Sequence, residues 1–282
     1  MRKRKVARVM KLLAPAKVNI ALSVEGKRED SYHELCTLMH TVDDLCDVVY
    51  MESADTLSVG FDISGMPSEN TVTRAAKAYM RESGSYAADI RVLKRIPAEA
   101  GLGGGSADAA AVLRGMQRMY GLLSEEKLYQ IALEVGADVP FCLHGQTAVC
   151  RGRGELMTPV VHKALPLVMV KDSYGISTAR LFSRLNLPCA PVDTDAARRA
   201  YECGDMIALA RHMNNSLESA AFAERPELAL LKEELLSTGA LGAVMTGSGS
   251  AMIGLYADFE ASRLAGKMLE GHDFVHICSS EV

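Results

Sequence analysis

The sequence lacks the patterns that mark several common protein classes. Its seven cysteines are odd in number and form no Cys-x-x-Cys pair. A disulfide framework or a structural zinc site is therefore a poor explanation for them, and buried thiols in a reducing cytoplasm are favoured. No Gly-Lys-Ser/Thr follows the glycine-rich stretch, and that stretch does not contain the Gly-x-Gly-x-x-Gly fingerprint. Neither a common P-loop nor a dinucleotide-binding turn is indicated.

A strong charge imbalance and a membrane signal are missing as well. Lys and Arg number 31 against 35 Asp and Glu, a formal net charge of −4, which argues against non-specific nucleic-acid binding. The basic start is followed by an apolar segment that Arg8, Lys11 and Lys17 interrupt, so it makes no signal-peptide core. Residues 235–257 carry no charge, but their glycines, serines and threonines predict two buried strands around a turn rather than a membrane span.

What is present is a glycine-rich stretch at residues 97–112. It has glycines at 101, 103, 104 and 105 and then an alanine-rich segment with high helix propensity. Such glycines permit positive φ and close backbone approach, while a helix beginning near Ser106 directs its free N–H groups at the same point. The stretch predicts a phosphate-binding loop; a flexible linker or a plain helix-entry turn is the alternative.

The length of 282 residues fits two moderate domains, with a boundary expected near residues 155–165. Hydrophobic periodicity and turn residues give the elements along the chain. Predicted strands cover residues 9–13, 18–24, 35–41, 47–51, 57–63, 90–96, 146–151, 165–170 and 274–279, with Lys17 at a bend between the first two. Predicted helices cover 71–83 (capped by Asn70 and closed by Gly84), a segment from Ser124 to Gly136, 177–184, much of 196–236, and 259–269. No internal repeat is evident.

Three motifs in order along the chain resemble the superfamily of galactokinase, homoserine kinase, mevalonate kinase and phosphomevalonate kinase, the GHMP kinases. They are Pro15-Ala16-Lys17-Val18-Asn19, the glycine stretch, and Thr246-Gly247-Ser248-Gly249-Ser250. With Tyr32-His33-Glu34-Leu35 and Gly136-Ala137-Asp138-Val139-Pro140-Phe141, the set resembles the 4-diphosphocytidyl-2-C-methyl-D-erythritol kinase family in particular.

The resemblance implies an α+β, two-domain GHMP kinase fold. An N-terminal ATP-binding domain like ribosomal protein S5, with α/β content, would span residues 1–160, and a ferredoxin-like α/β domain would span 161–282. It also implies an ATP- and Mg²⁺-dependent kinase of the cytoplasm. This enzyme would phosphorylate the 2-hydroxyl of 4-diphosphocytidyl-2-C-methyl-D-erythritol, a precursor in non-mevalonate isoprenoid biosynthesis. The implied partners are small molecules, with no nucleic acid and no membrane, and the implied assembly is a monomer or weak homodimer.

Two residues are the expected catalytic groups. A hydroxyl that attacks a phosphoryl group needs a carboxylate to accept its proton and cations to spread the charge. The resemblance gives these roles to Asp138 as the base and to Lys17 as the cation that keeps it ionised and polarises the hydroxyl. A structural salt bridge between the two is the alternative.

The ATP site implied by the resemblance takes in the glycine stretch and one residue outside it. Ser106 would contact phosphate or Mg²⁺ through its hydroxyl, although serine is also an ordinary N-cap residue. Asn70 would lie near the adenine, although an N-cap role explains it equally well. The full set is Asn70, Pro97, Gly101, Gly103, Gly104, Gly105, Ser106 and Ala107.

The substrate site implied by the resemblance holds the cytosine between an imidazole and an aromatic ring, here His33 and Phe182, with Tyr32 lining the same pocket. A Tyr-His pair on a turn is otherwise common surface chemistry. Asn19 lies two residues beyond Lys17 on the same side of an extended strand, so its amide would bind the polyol or Lys17 itself. Gly247, Ser248 and Gly249 complete the set.

The sequence departs from the family pattern at two positions. Ser31 stands where a glycine usually precedes the Tyr-His pair, and Ser250 stands where proline is often found. Substrate preference is the property that these changes would affect most. The alternatives are therefore a GHMP kinase for homoserine or a mevalonate-like acid, or an inactive ligand sensor of the same fold. His272 and His276 have a loose metal-ligand spacing, for which a partly buried strand is the favoured explanation.

Overall fold

The structure, a computed structural model, describes residues 9–29, 32–185 and 187–280. The chain forms two compact units. Among the described residues, the first unit contains 9–16, 46–96 and 103–145, and the second contains 17–29, 32–45, 97–102, 146–185 and 187–280. The basic N-terminal arm and Ser31 lie outside the described residues.

The described residues of the first unit contain a short sheet and four helices. β4 (Ala87–Leu93) pairs antiparallel with the last third of β2 (His33–Ala54), from Val48 opposite Leu93 to Ala54 opposite Ala87, and β3 (Ser58–Phe61) pairs parallel with β4. Helix α1 (Thr71–Ser83) packs on α2 (Gly104–Tyr120), which also contacts α3 (Glu125–Val135) and α4 (Val139–His144).

The predicted helix ends in this unit are confirmed. The Asn70 side chain caps α1 by accepting a 3.0 Å hydrogen bond from the Thr73 N–H, and Gly84 closes the helix at φ 62°. Ser124 caps α3 by accepting a bond from the Lys127 N–H, and Gly136 follows its last residue. Local side-chain chemistry fixed these ends, which is why the sequence alone located them.

The second unit holds two sheet regions. β5 (Thr147–Gly152) pairs antiparallel with residues 35–40 of β2 and with β6 (Leu156–Val160). A separate four-stranded antiparallel sheet has the order β10-β7-β9-β8. Its strands are β7 (Leu167–Lys171), β8 (Gly242–Met245), β9 (Met252–Leu255) and β10 (Phe274–Ile277).

Six helices belong to the second unit. They are α5 (Thr178–Ser183), α6 (Thr194–Cys203), α7 (Met206–Arg211), α8 (Glu218–Glu224), α9 (Glu227–Ser237) and α10 (Phe259–Met268). Leu231 and Leu235 of α9 and Ala265 of α10 join Val168, Val170 and Met252 of the four-stranded sheet in one apolar core. The predicted helical stretch 196–236 is thus four short helices, and β6 was not predicted.

The bend predicted at Lys17 is wrong. β1 (Met10–Lys27) runs through Pro15 and Lys17 without a break and pairs with β2. Ala14 and Ala16 are fully buried beside the proline, and the Lys17 N–H donates to the Leu102 carbonyl at 3.0 Å. These long-range contacts keep the strand extended where the local sequence suggested a turn.

The boundaries of two more strands differ from the predicted ones, again because of contacts with residues distant in the sequence. The strands predicted at 35–41 and 47–51 are one strand, β2, in which Val42 and Leu45 are buried on either side of Asp43 and Asp44. β4 ends at Leu93, because the N–H groups of Arg95 and Ile96 donate to the Asp47 carboxylate instead of a neighbouring strand.

Two further predictions concern membrane-spanning segments and the cysteines. Within the described residues, no helix is long and apolar enough to cross a membrane, and residues 242–255 form the predicted pair of strands around a glycine turn. All seven cysteines lie in the described residues and are free thiols.

Candidate active site

Lys17 and Asn19 form the centre of a buried polar cluster in the second unit. Both lie on β1 and point to the same side, and the Lys17 ammonium donates a 2.8 Å hydrogen bond to the Asn19 side-chain oxygen. Lys17 is only 4 % exposed and Asn19 only 2 %. Of the two partners the sequence offered for the Asn19 amide, Lys17 is the one the structure shows.

Thr37 fixes the orientation of this asparagine and was not found from the sequence. The Asn19 side-chain N–H donates to the Thr37 hydroxyl at 2.8 Å, and that hydroxyl donates to the Ala21 carbonyl at 2.8 Å. Thr37 is fully buried. Because the amide nitrogen is held by Thr37, the amide oxygen is presented to Lys17. No local pattern marks a threonine in the middle of a strand for such a role.

The turn at 246–250 approaches the same cluster. The Asn19 N–H donates to the Thr246 hydroxyl at 3.0 Å. A Cβ added to Gly247, which has φ +56°, would lie 3.3 Å from the Lys17 ammonium and 3.3 Å from the Asn19 side-chain oxygen. Both the positive φ and these tight contacts favour glycine at this position.

Asn215 holds the turn from the other side. Its side-chain amide donates to the carbonyls of Met245 and Gly247 at 2.7 and 2.8 Å, and its oxygen accepts from the Leu217 N–H. Asn215 is 3 % exposed. This role was not predicted from the sequence, because an asparagine in a predicted helical region is usually a helix cap or a surface residue.

Ser250 makes bonds that the family's proline would lack. Its N–H donates to the Glu99 carbonyl at 3.0 Å, and its hydroxyl donates to the Tyr174 carbonyl at 2.6 Å. The Gly249–Ser250 peptide is cis. Since proline has no N–H, the departure at this position adds a hydrogen bond between the turn and the start of the glycine stretch.

The glycine stretch uses its glycines in two different ways. Gly101 and Gly103 both have φ +72°, but Gly104 and Gly105 do not have positive φ and form the first turn of α2. Of the four glycines that permit positive φ, Gly101 and Gly103 are therefore the two that adopt it. Gly101 lies under the turn at 246–249, where an added Cβ would be 2.0 Å from the Thr246 carbonyl oxygen.

The start of α2 is uncapped by any side chain, because its N-cap residue is Gly103. The N-cap role considered for Ser106 is therefore wrong: Ser106 is the third residue of the helix. The N–H groups of Ser106 and Ala107 both bond to the Gly103 carbonyl at 2.9 Å. The helix beginning and its positive dipole end are suited to an anion.

The remaining predicted ATP-site residues flank this helix start in sequence or space. The Thr71 hydroxyl, next to the capping Asn70, donates to the Gly105 carbonyl at 2.7 Å, which ties the beginning of α1 to the beginning of α2. Pro97 is half-buried in the loop before the glycines, and the Ala107 side chain is buried.

A buried ion cluster beneath the helix start was missed from the sequence. Lys94 contacts the carboxylates of Asp47 and Asp108, the latter at 2.6 Å. Burial raises the pKa of Asp108 to about 7, with the charges of Lys94 and Asp47 acting in opposite directions. An added Cβ on Gly104 would lie 3.3 Å from the Lys94 ammonium. The cluster thus fixes the loop that leads into α2.

Asp138 lies in the first unit at the beginning of α4. It is the N-cap residue with φ −86° and ψ −8°, Pro140 follows in the first turn, and its side chain makes no capping bond within the described part of the chain. Its side chain is half-buried. The carboxylate therefore does not cap the beginning of this helix.

His33 and Phe182 are brought together in the second unit, although 149 positions separate them in the sequence. Their ring centroids are 4.8 Å apart with planes inclined by 31°. Burial and, second, the charge of Lys27 lower the pKa of His33, so the ring that meets Phe182 is a neutral imidazole. Tyr32 is exposed, with the Arg153 guanidinium 4.7 Å from its ring centre.

One hydrogen bond links this aromatic pair to the lysine cluster. The Ser248 hydroxyl lies 2.7 Å from the Thr178 hydroxyl, at the start of the helix α5 that carries Phe182. The turn that places Gly247 beside Lys17 therefore also contacts the helix of the aromatic pair.

Two family models match the chain. Residues 70–146 match the GHMP kinases N terminal domain, and residues 195–272 match the GHMP kinases C terminal model. The first region includes α1, the glycine stretch and Asp138, and the second includes the turn at 246–250. The mixed α and β content and these matches confirm the predicted two-domain GHMP kinase fold.

Similar proteins narrow the family further. A 4-diphosphocytidyl-2-C-methyl-D-erythritol kinase from Syntrophomonas wolfei is 39 % identical over 282 residues, covering 96 % of this chain and 98 % of that protein. A crystal structure of 4-(cytidine 5'-diphospho)-2C-methyl-D-erythritol kinase superposes with a TM-score of 0.83 at 35 % identity, over 95 % of this chain and 98 % of the other. A homoserine kinase from Cytophaga hutchinsonii, at 21 % identity and TM-score 0.77 over 99 % and 97 % of the two chains, shows the shared fold alone. The chain belongs to the 4-diphosphocytidyl-2-C-methyl-D-erythritol kinase family of the GHMP kinases.

Proposed function

We propose that this chain transfers the γ-phosphoryl group of ATP, with Mg²⁺, to the 2-hydroxyl of 4-diphosphocytidyl-2-C-methyl-D-erythritol. The observation that carries the proposal is the double contact of the turn at 246–250. Gly247 lies beside Lys17, while Ser248 bonds to Thr178 on the helix of Phe182. One turn thus joins a cation suited to phosphoryl transfer with an aromatic pair suited to a nucleobase.

In the proposed reaction, Asp138 accepts the proton of the attacking hydroxyl, and Lys17 stabilises the negative charge that develops on the oxygen. Asn19 holds the ammonium in place through its 2.8 Å hydrogen bond. The same buried position keeps water away from the lysine, which strengthens its electrostatic effect. The hydroxyl oxygen forms the new bond to the γ-phosphorus, and ADP departs.

The ATP phosphates would bind at the uncapped start of α2. Gly103 offers no side-chain acceptor to the first N–H groups of the helix, so those groups suit a phosphate. The Ser106 hydroxyl would join the phosphates in holding Mg²⁺, which when bound neutralises phosphate charge. Asn70, Pro97, Gly101, Gly104, Gly105 and Ala107 complete the proposed nucleotide site.

The cytosine would bind to His33 and Phe182, with Tyr32 beside them. At 4.8 Å the two rings touch each other. An inserted base needs about 7 Å, twice the ~3.4 Å spacing of stacked bases in DNA. Binding between the rings therefore requires them to separate, and the base replaces one aromatic contact by two. Asn19, Gly247, Ser248 and Gly249 would line the sugar and phosphate part of the site.

The proposal also assigns a role to each predicted domain and a cellular compartment to the enzyme. Residues 1–160 would form the ATP-binding domain and 161–282 the second GHMP kinase domain, in a cytoplasmic enzyme. The free thiols of all seven cysteines are consistent with a reducing compartment.

A coupled ADP-release assay tests the activity. The purified chain is given ATP and Mg²⁺ with the diphosphocytidyl substrate, homoserine or mevalonate in separate reactions. We expect turnover with the diphosphocytidyl compound only. Phosphorylation of homoserine but not of the diphosphocytidyl compound would identify a kinase for another alcohol. Binding of ATP with no ADP release in the presence of any of the alcohols would identify a sensor.

The assigned base is tested by Asp138→Asn. The amide retains the size of the carboxylate but accepts no proton, so kcat should fall by about 10²–10⁴-fold. ATP affinity, measured by calorimetry, should stay near wild type. Undiminished turnover in this variant would remove Asp138 from the mechanism.

A further inference from the structure

A second cluster of ligand-type side chains lies away from the proposed kinase site. Asp44 on β2 meets His276 on β10 and Cys278 just beyond it, and one ligand atom of each lies within 4.8 Å of the other two. Carboxylate oxygen, imidazole nitrogen and thiolate sulfur are the three donor types that zinc accepts from proteins. All three residues belong to the second unit.

The backbone holds His276 and Cys278 in fixed positions on one segment. His276 and Cys278 are two residues apart on an extended segment, so both side chains leave the same face. The Cys278 N–H donates to the Leu167 carbonyl at 2.9 Å, which continues the pairing of β10 with β7 by one residue. The cysteine is therefore held in register rather than at the end of a loose terminus.

The two oxygens of Asp44 have different partners, and one of them is directed at His276. Its Oδ2 accepts a 2.7 Å bond from the Ser279 N–H, while its Oδ1 lies 2.9 Å from the His276 Nε2. A metal that replaced the proton between Oδ1 and Nε2 would keep the Ser279 bond. Such an outer hydrogen bond orients a ligating carboxylate in known metal sites.

Space and charge at the cluster also suit a cation. A cavity of about 20 Å³ is bordered by Asp44, Cys278 and Asp43, together with His40 and Thr41. That volume, beside Asp44 and Cys278, holds one water molecule, and we expect such a water to be the fourth ligand of a tetrahedral ion. Asp43, bonded to His162, adds a second negative charge to the wall.

We propose that Asp44, His276 and Cys278 form a binding site for Zn²⁺ or a similar borderline-soft divalent ion, with water as the fourth ligand. Coordination releases the thiol proton of Cys278 to solvent, while His276 binds the ion through Nε2 as the neutral tautomer that carries its proton on Nδ1. Thiolate and imidazole donors exclude Mg²⁺ from this site. The bound ion would join β2 to the end of β10.

This site was not anticipated from the sequence. The absence of a Cys-x-x-Cys pair argued against structural zinc, and the spacing of His272 and His276 was the only pattern of metal type. In the structure His272 instead bonds to Asp172 and Glu234. The ligand that completes the cluster, Asp44, lies 232 positions before His276, beyond any local motif.

Cobalt titration tests the proposal on the reduced, chelator-treated chain. Co²⁺ should give a thiolate-to-cobalt charge-transfer band at one equivalent, which Zn²⁺ removes by competition and excess Mg²⁺ does not. Cys278→Ser should abolish the band, and Asp44→Asn should weaken Co²⁺ binding at least about tenfold. Cys203→Ser, which changes an exposed thiol, is the matched control and should retain the full band.

The following outcomes of the cobalt titration would overturn the proposed metal site. Absence of a band in the wild-type chain, or loss of the band in Cys203→Ser with retention in Cys278→Ser, overturns the site. If Cys278→Ser is poorly folded by circular dichroism, His276→Gln is compared instead, and unchanged Co²⁺ affinity in that variant overturns the site as well. The assay has no kinase readout, so its result is independent of the proposed function.

Discussion

Gly101→Ala is the sharpest test of how the glycine stretch meets the turn at 246–249. An alanine at this position keeps φ +72° only at a cost of about 1–2 kcal/mol, because its Cβ crowds the backbone in the left-handed region. The same Cβ would also lie 2.0 Å from the Thr246 carbonyl oxygen and 3.0 Å from the Gly249 N. Ordinary carbon–oxygen contacts begin at about 3.3 Å, so the two backbones must separate by more than an ångström.

That displacement has a cost that can be worked out from the bonds it breaks. Thr246 accepts a hydrogen bond from the Asn19 N–H at 3.0 Å, and its carbonyl accepts one from the Gly249 N–H at 2.9 Å. Losing one or two of these in a buried place costs about 1–3 kcal/mol each. Together with the conformational cost, we expect Gly101→Ala to lower the free energy of unfolding by about 2–5 kcal/mol if one bond is lost and by up to about 8 kcal/mol if both are lost.

Gly84→Ala is the matched control. Gly84 has φ +62°, yet an added Cβ meets nothing within 4 Å. It should therefore lose only the conformational part, about 1–2 kcal/mol. Both variants are compared by urea and thermal unfolding and by the ADP-release assay. Gly101→Ala should also lose about 100-fold in kcat/KM, since an ångström of misplacement near Lys17 is enough for that. Equal stability losses in the two variants, with full activity in both, would refute the reasoning.

Two further predictions concern a buried and a surface hydrogen-bond network. Thr37→Val removes the hydroxyl that orients Asn19, so kcat should fall about tenfold, in line with one lost buried hydrogen bond, while the KM for ATP stays unchanged. Thr37→Ser should restore kcat; equal loss in both variants would mean that packing, not the hydroxyl, matters. Burial works to lower the pKa of His272, but its bonds to Asp172 and Glu234 outweigh this and raise the pKa above its usual value. The stabilisation is then complete below the usual histidine pKa and is lost as pH rises through the raised one, so His272→Gln should cost about 1 kcal/mol near pH 5 and little near pH 9. A stability difference that does not change with pH would contradict this.

Helix ends were the part of the fold that the sequence predicted best. Asn70, Ser124 and Ser177 each cap the helix expected after them, and Gly84 closes the first. Capping is a contact between neighbours three residues apart, so its signal is wholly local. Strands were less accurate at their ends. β1 and β2 were each predicted in two pieces, because a proline or a pair of aspartates interrupts the local pattern while pairing with distant strands continues.

The candidate site divides in the same way. Motif resemblance gave Lys17, Asn19, His33, Phe182 and Gly247, and the structure brings these residues of the second unit into direct contacts or one step from them. It did not give the residues that hold them. Thr37 and Asn215 act through hydrogen bonds to partners 18 and 32 positions away, and their residue types are common in roles that have no ligand.

What the sequence determined by itself was the family, the order of its motifs and the helix ends, because each of these depends on residues close together along the chain. What only the tertiary structure decided was which glycine has no room for a side chain, which end of the Asn19 side-chain amide faces the lysine, and that Asp44 meets His276 and Cys278. Those facts depend on close approach of distant backbone segments. A single added atom at Gly101 would prevent that approach, and the residues next to Gly101 in the sequence do not show which distant atom it would meet.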